Sequence, residues 1–335
     1  MSKPKVVLIS DLHFTPATLH QATASLLAAM ARARCLNVAL IIAGDTLDSK
    51  DIIRGSCANR LISLLADAND IAIYLMVGNH DLLNEKSTEH SLNFLKPYVN
   101  VIDSPEYITA LDLYLIPYQT DSAELKTTLS HIESGATLIM HQGVQTANMG
   151  HYVQDKTSLP PEAFADFRVI SGHYHRRQDI KCGRPRKGAI GLFSYIGNPY
   201  SLSFGEAQDG NKGFQVLMDD GILEFQALNL RKHVVIETST KFWRDIERPN
   251  PEDLVWLKIE GPRSQLAEIK KSEVAKFIGH SNFKLDLIPT DTSAKVQEAQ
   301  KLSGEDLFDS LITGLDGEDE DYKNYLKLLW REVLS

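Results

Sequence analysis

At 335 residues, 43% hydrophobic and 24% charged, the chain has the composition of a globular protein with one large or two modest cores, which excludes disordered, collagen-like and disulfide-scaffold classes. Its longest apolar runs, such as 6–9 and 38–43, are far short of the ~20 residues that a membrane-spanning helix needs, and the polar residues 1–5 lead on with no small-residue cleavage site, so a cytoplasmic protein with no membrane partner is expected. The net charge of −9 is uneven: residues 291–335 hold 11 acidic and 5 basic residues against 33 and 30 in the first 290, whereas 176–187 (RRQDIKCGRPRK) holds six basic and one acidic, enough to contact phosphate.

Through the first half a short β-rich apolar run, a polar tip and a helical stretch recur. Residues 6–9 end in Ser-Asp-Leu-His, 39–43 in Gly-Asp-Thr-Leu-Asp, 71–77 in Gly-Asn-His-Asp, 137–140 in His-Gln-Gly and 168–170 in Ser-Gly-His-Tyr-His. Residues 18–34, with Leu19, Leu26, Leu27 and Met30 at helical spacing, and 58–65 read as the intervening helices. The order β-α-β-α-β predicts a largely parallel sheet whose polar tips converge at the carboxyl ends of the strands. Runs at 191–196, 214–218 and 223–230, with turns such as Asp219-Asp220-Gly221 between them, read as an antiparallel continuation of this core. The breaker Arg248-Pro249-Asn250-Pro251 then precedes a small β-α-β unit, strands 254–259 and 283–288 around a helix at 265–278. From Val296 onward, Leu302, Leu307, Leu311 and Ile312, then Tyr322, Tyr325, Leu326, Leu329, Trp330 and Val333, predict two amphipathic helices around the acidic linker 316–321. Cys35, Cys57 and Cys182 are odd in number and form no C-x-x-C pair, so they read as buried structural thiols.

Singly, each tip is ordinary turn chemistry. Together they place Asp11 with His13, Asp45 after Gly44, Asn79 and His80 after Gly78, His141, and His173 with His175, each after an apolar run in one β-α-β framework. Carboxylate, carboxamide and imidazole donors converging in this way form a metal site.

This ordered set resembles the five-block signature of the calcineurin-like metallophosphoesterases, carried here by Asp11-Leu12-His13, Gly44-Asp45, Gly78-Asn79-His80-Asp81, His141 and Gly172-His173-Tyr174-His175. The resemblance spans residues 5 to about 230. It implies an α/β fold, a four-layer αββα sandwich of two mixed sheets. It also implies two divalent metal ions, one held by Asp11, His13 and His175, the other by Asn79, His141 and His173, with Asp45 bridging and His80 acting on the phosphate. Mixed nitrogen and oxygen ligation makes Mn2+ the expected metal, with Fe or Zn as alternatives. Two such cations activate water and neutralise phosphoryl charge without a protein nucleophile. Asp81 is expected to fix the His80 imidazole.

Within that superfamily the chain is most similar to the SbcD-type nuclease subunit of the double-strand-break repair complex, including compact phage forms. Three features carry this: the segment Tyr195-Ile-Gly-Asn-Pro-Tyr-Ser-Leu-Ser-Phe-Gly-Glu206 followed by Lys212-Gly213-Phe214, the β-α-β unit from Leu254, and the terminal helix pair. The group implies a Mn-dependent 3′ to 5′ exonuclease on duplex ends and an endonuclease on single strands, in a bacterial or phage-infected cell, acting in DNA repair and recombination. It implies a nuclease core at 1–235, forming a homodimer. A small β-α-β capping domain for DNA would lie at 236–290, and C-terminal helices at 291–335 would dock on an SbcC-type coiled-coil ATPase through Leu326, Leu329 and Trp330. Arg176, Arg177, Lys181, Arg184, Arg186 and Lys187 are the candidate DNA contacts, and Phe14 and Tyr174 candidate base-stacking rings. Where many relatives carry a histidine shortly after the Gly-Asp block, this chain has Asp48. Two rival readings stay open on these residues: a phosphatase or cyclic-nucleotide phosphodiesterase, which leaves 240–335 unexplained, and a non-catalytic scaffold subunit, which leaves the full ligand set unexplained.

Overall fold

The computed structural model of the protein describes residues 2–84, 88–150, 153–185, 189–279 and 283–291. Its first sheet grows from β1 (Pro4–Ile9), α1 (Leu19–Leu36), β2 (Ala39–Ile42), α2 (Gly55–Ala66), β3 (Ile73–Met76) and β4 (Asn100–Ile102). The second takes β5 (Glu106–Ile108), β6 (Leu113–Ile116), α3 (Ser122–Ser130), β7 (Thr137–His141), β8 (Arg168–Gly172), β9 (Gln178–Lys181) and β10 (Leu192–Tyr195). The chain then returns with β11 (Gly213–Met218) and β12 (Leu223–Ala227), so that the first sheet runs β12-β11-β1-β2-β3-β4 and the second β5-β6-β7-β8-β10-β9. Strands β1 to β4 pair in parallel, as do β6, β7, β8 and β10, whereas β11, β12, β5 and β9 add antiparallel edges.

The period of two explains why these strands read as unbroken apolar runs. Val6 and Leu8 of β1 face one way, into a core shared with Ile41, Met76, Leu113, Leu115, Ile139 and Ile170, which is the layer between the two sheets. Val7 and Ile9 face the other way, against Leu26, Met30, Leu61 and Leu65 of α1 and α2. Leu138, Met140, Val169 and Phe193 pack on Leu125 and Leu129 of α3. Three apolar layers therefore separate helices, sheet, sheet and helix, and the fold is a four-layer αββα sandwich of two mixed sheets. The ends of α1 and α3 are closed locally: Asn37, at φ 53°, turns its N–H back to the carbonyls of Ala33 and Arg34, and the Asp121 carboxylate accepts from the Ala123 N–H at 2.7 Å.

Strand β10 corrects the expectation for 191–196. It does not continue the first sheet but lies in the second, parallel to β8 and antiparallel to β9. Part of the basic stretch is thus strand β9, not a loop. Cys57 and Cys182 are buried as expected, but Cys35, on the outer face of α1, is exposed.

The described chain divides into two compact units, Met1–Val235 with Asn250–Val255, and Ile236–Pro249 with residues from Trp256 on. Residues 250–255 belong with the first unit, unlike the expected division. The second sheet-bearing region contains β13 (His233–Ser239), β14 (Leu254–Gly261), α4 (Arg263–Leu266), α5 (Lys271–Ile278) and β15 (Phe283–Pro289), in the sheet order β13-β14-β15. Strand β13 was not expected. The single helix expected at 265–278 is two, because Lys270 is extended at φ −92° and ψ 132°. Leu257, Ile259, Leu266, Val274 and Ile278 are buried. The expected helix pair at 291–335, with Leu326, Leu329 and Trp330, lies outside the described residues, apart from Asp291.

Candidate metal centre

Each tip follows the carboxyl end of its strand: Asp11 and His13 after β1, Asp45 after β2, Asn79 and His80 after β3, His141 as the last residue of β7, and His173 and His175 after β8. Three elements of one sheet and two of the other therefore meet at one edge of the inter-sheet layer. The backbone bends sharply to bring them there. Asp11 (φ 54°), His13 (φ 42°), Asp45 (φ 50°) and His173 (φ 92°) all occupy the left-handed region, an uncommon state for side-chain-bearing residues that clusters at functional sites. Gly44, at φ 91°, sits where a Cβ would overlap the His141 imidazole, and a Cβ on Gly78 would overlap Asp45. Those two glycines permit the approach of the tips.

The donor atoms fall into three overlapping triads, Asp11-His13-His175, His13-Asp45-His80 and Asp45-His141-His173, within each of which the candidate ligand atoms lie within 4.8 Å of one another. Asp45 and His13 are shared, so the outer triads are joined. Asn79 completes the third: its Oδ1 is 3.0 Å from His141 Nε2 and 2.8 Å from His173 Nδ1. Asp11, His13, Asp45 and His141 are buried, whereas Asn79, His80, His173 and His175 are half-buried on the accessible side.

The outer partners of the rings fix which nitrogen faces inward. His141 Nδ1 donates to the Ala43 carbonyl at 2.7 Å, His175 Nδ1 to Glu206 Oε1 at 2.7 Å and His80 Nδ1 to the Asp48 carbonyl at 2.7 Å. In the neutral ring each Nε2 is then left with its lone pair, the form that binds a cation. His141 Nε2 faces the oxygens of Asn79 and Asp45, the latter at 3.2 Å, and the Nε2 atoms of His13 and His175 lie 3.1 Å apart. Lone pairs opposed in this way need a proton or a cation between them. The donor set therefore fits divalent metal ions, Asp11, His13 and His175 on one side and Asn79, His141 and His173 on the other, with Asp45 between.

Electrostatics carry the same demand for positive charge. Burial lowers the His141 pKa, but Asp45 and Asp11 outweigh it and raise it to about 9. Burial also opposes ionisation of Asp45, yet His141 and His13 hold its carboxyl well below the usual range. Burial and the neighbouring His141 push His173 down to about 4. Burial lowers the His13 pKa, but the neighbouring carboxylates of Asp48, Asp45 and Asp11 outweigh it and raise it.

Asp81 departs from expectation. It does not fix the His80 ring, because its buried carboxylate is taken up by the backbone N–H groups of Leu47 (2.8 Å), Gly78 (2.9 Å) and Thr46 (3.3 Å). It locks the tip after β2 to the tip after β3, and the Asp48 carbonyl orients His80 instead. Burial and the charge of Asp45 push the Asp81 carboxyl up to about 7. Asp48 also places Oδ1 3.3 Å from His13 Nδ1.

Sequence reading missed Glu206, Lys212 and Asn198 as parts of the site. Glu206 accepts from Asn198 Nδ2 at 2.9 Å and pairs with Lys212 at 3.2 Å, and Lys212 also donates to the His175 carbonyl at 3.2 Å. Burial would raise the Glu206 carboxyl, but His175 and Lys212 bring it down to about 2. The available signal was the 195–206 segment, whose Tyr195 and Tyr200 hydroxyls donate to the carbonyls of Gln142 and Leu12 and so brace the β7 and β1 tips. Phe14 and Tyr174 are buried, the Tyr174 hydroxyl donating to Asp155 at 2.6 Å, so neither is a stacking platform. Arg176 is half-buried, Arg177 stacks 3.7 Å over the Phe225 ring, and Lys181 and Arg184 are exposed. Arg186 and Lys187 lie outside the described residues.

A sandwich of two mixed sheets with acidic, carboxamide and imidazole ligands gathered at its edge defines a metal-dependent phosphoester hydrolase. Residues 4–177, more than half of the chain, match the calcineurin-like phosphoesterase family, and the chain belongs to that family. No curated protein matches it in sequence. Among solved structures it is similar to the nuclease MPE of Pseudomonas putida, at 14% identity and a TM-score of 0.32 over 67% of this chain and 88% of that one. It is also similar to a protein serine/threonine phosphatase of Saccharomyces cerevisiae, at 14% identity and a TM-score of 0.33 over 68% and 82%. Among the described residues no helix is long and apolar enough to cross a membrane.

Proposed function

We propose that the protein is an SbcD-type DNA nuclease, Mn-dependent, acting as a 3′ to 5′ exonuclease on duplex ends and an endonuclease on single strands. In this reading it works as a homodimer in an SbcCD-type repair and recombination complex, with residues 291–335 engaging the coiled-coil ATPase through Leu326, Leu329 and Trp330. The observation that supports it best is the role of 195–213. That segment carries the narrower resemblance, and it is built into the metal centre, Glu206 and Lys212 holding His175. A phosphatase reading gives this segment no particular place.

Bound divalent cations supply Lewis acidity and charge neutralisation at the phosphoryl oxygens. The chain's own residues do the rest. Asp11, His13, Asp45, Asn79, His141, His173 and His175 hold the cations. His80, half-buried with Nδ1 donating to the Asp48 carbonyl, presents Nε2 toward the centre, where the doubly protonated ring would donate to a phosphate oxygen and pass its Nε2 proton to the leaving oxygen, ending as the neutral ring. The exposed Lys181 and Arg184, with Arg176, supply positive charge for the DNA backbone.

The test is incubation with Mn2+ and, separately, labelled single-stranded DNA, blunt duplex DNA and bis-p-nitrophenyl phosphate. DNA cleavage that falls about 100-fold or more in His80→Ala, with Mn2+ affinity kept, is the expected result. Hydrolysis of the small diester with DNA untouched, even with an SbcC-type ATPase added, sinks the nuclease reading in favour of a small-substrate phosphodiesterase.

A further inference from the structure

On one side of the sandwich the first sheet ends in β12 and the second in β9, and between these edges the inter-sheet layer opens into a cavity of about 540 Å3. None of the candidate metal ligands lines it. Two polar side chains reach into the layer here. Arg168 stands two residues before Ile170 on β8 and Gln215 two before Leu217 on β11, so the period of two turns both toward the inter-sheet core that Ile170 and Leu217 fill. Arg168 is 5% exposed and Gln215 4%, and both line the cavity.

Neither side chain uses all of its polar atoms. Arg168 donates only from Nη1, to Ser194 Oγ at 2.7 Å and to the carbonyls of Leu192 and Val169 at 3.4 Å, which leaves Nε and Nη2. The Gln215 carboxamide has no hydrogen-bond partner among the described residues. These free atoms are not sealed in the interior; each keeps accessible surface, and the cavity is the space they open onto. An arginine buried to this degree is normally ion-paired. Among the described residues no carboxylate pairs with Arg168: burial lowers its pKa, and Asp179, which opposes that through space, is bonded by the Ser194 hydroxyl at 2.5 Å.

We infer that this cavity is a second ligand site, separate from the metal centre, which takes a small carboxylic acid with an apolar body: the carboxylate accepts from Arg168 and from Gln215 Nε2, and the body lies along Leu192, Leu223 and Phe225. The guanidinium fork matches the two oxygens of a carboxylate. A doubly charged phosphate fits less well, since Asp179 and Asp220 also line the cavity, and Arg177, the other cation of the described lining, is stacked on the Phe225 ring at 3.7 Å. Ile222, at the mouth, is 59% exposed, so the apolar wall runs out to solvent. The volume falls within the about 300–1,000 Å3 of sites that enclose a small molecule.

Calorimetric titration of the Mn2+-loaded full chain with octanoate, with 1-octanol as the uncharged control and acetate as the head group alone, reads the site directly. Octanoate should bind about tenfold more tightly than either control. Gln215→Leu, which removes a carboxamide that holds nothing in the free protein, should weaken octanoate about fivefold, and Arg168→Met about tenfold or more. Octanoate binding the wild-type protein no more tightly than 1-octanol overturns the proposal with no variant needed. So does an octanoate affinity unchanged in folded Gln215→Leu, a result that stands even where Arg168→Met, deprived of its bond to Ser194, fails to fold. Binding should persist after Mn2+ is chelated, and its loss would assign the acid to the cations and overturn the second site.

Discussion

Glu206 shows how much of a metal centre lies behind its ligands. It touches no candidate cation site, yet its carboxylate sets the tautomer and angle of His175, and Lys212 and Asn198 hold it in place. Glu206→Ala should weaken Mn2+ binding about 10- to 100-fold, measured by calorimetry, with activity recovering at saturating metal. A variant of lower activity but unchanged metal affinity would assign Glu206 another role. Asp81 belongs to the scaffold by the same logic. Asp81→Ala leaves the N–H groups of Leu47, Gly78 and Thr46 buried without an acceptor, and should cost about 2–3 kcal/mol in urea unfolding. The ligands themselves were legible because each follows an apolar run. Their supports were not, since a carboxylate that binds three backbone N–H groups and one that buttresses a histidine look alike in a sequence.

At the scale of elements, the doubly buried parallel strands β1, β2, β3, β7 and β8 announced themselves because each runs into a polar tip, whereas β4, β5 and β6, three or four residues long and followed by no such tip, could not be read. The sheet that β10 joins was equally hidden, because the apolar run 191–196 can pair on either sheet and only its register with β8, Leu192 beside Arg168 to Tyr195 beside Ser171, decides. The layer between the sheets makes a sharp mechanical claim: Ile139→Ala, which removes a fully buried side chain from it, should destabilise the protein by about 2–5 kcal/mol. The loop after β7 is tied down by Asp155, whose carboxylate accepts from Tyr174 and from the N–H groups of Thr157 and Ser158 at 2.6, 2.8 and 3.0 Å. Against the opposing effect of burial, these bonds lower its carboxyl to about 2. A carboxyl lowered by folding stabilises the native state above its unfolded value and ceases to do so as pH falls through the folded one. About 2 kcal/mol should therefore be lost between roughly pH 4 and pH 2, and Asp155→Asn should flatten that limb of an acid titration followed by circular dichroism.

At the scale of the whole molecule, the phosphoesterase core and the region that follows it have separate tasks in the proposed complex. A chain ending at Asp291 should keep Mn2+-dependent hydrolysis of bis-p-nitrophenyl phosphate while losing affinity for an SbcC-type ATPase. Partner binding that survives in a pull-down would move the docking surface elsewhere.

The candidate ligands span positions 11 to 175 and come from the tips of both sheets. A cation seated among them works as a rivet through the seam, adding to the hydrogen bonds that already cross it, from His141 Nδ1 to the Ala43 carbonyl and from the His173 N–H to the Asp11 carboxylate. Amide hydrogen exchange should then slow together at residues 10–13, 44–47, 78–81 and 172–175 when Mn2+ is added, and thermal resistance should rise with it by about 2.7 kcal/mol at a hundredfold excess over the dissociation constant. Chelation would loosen the seam before the cores, so the same ions that make the chemistry possible would also time how long the molecule survives without them.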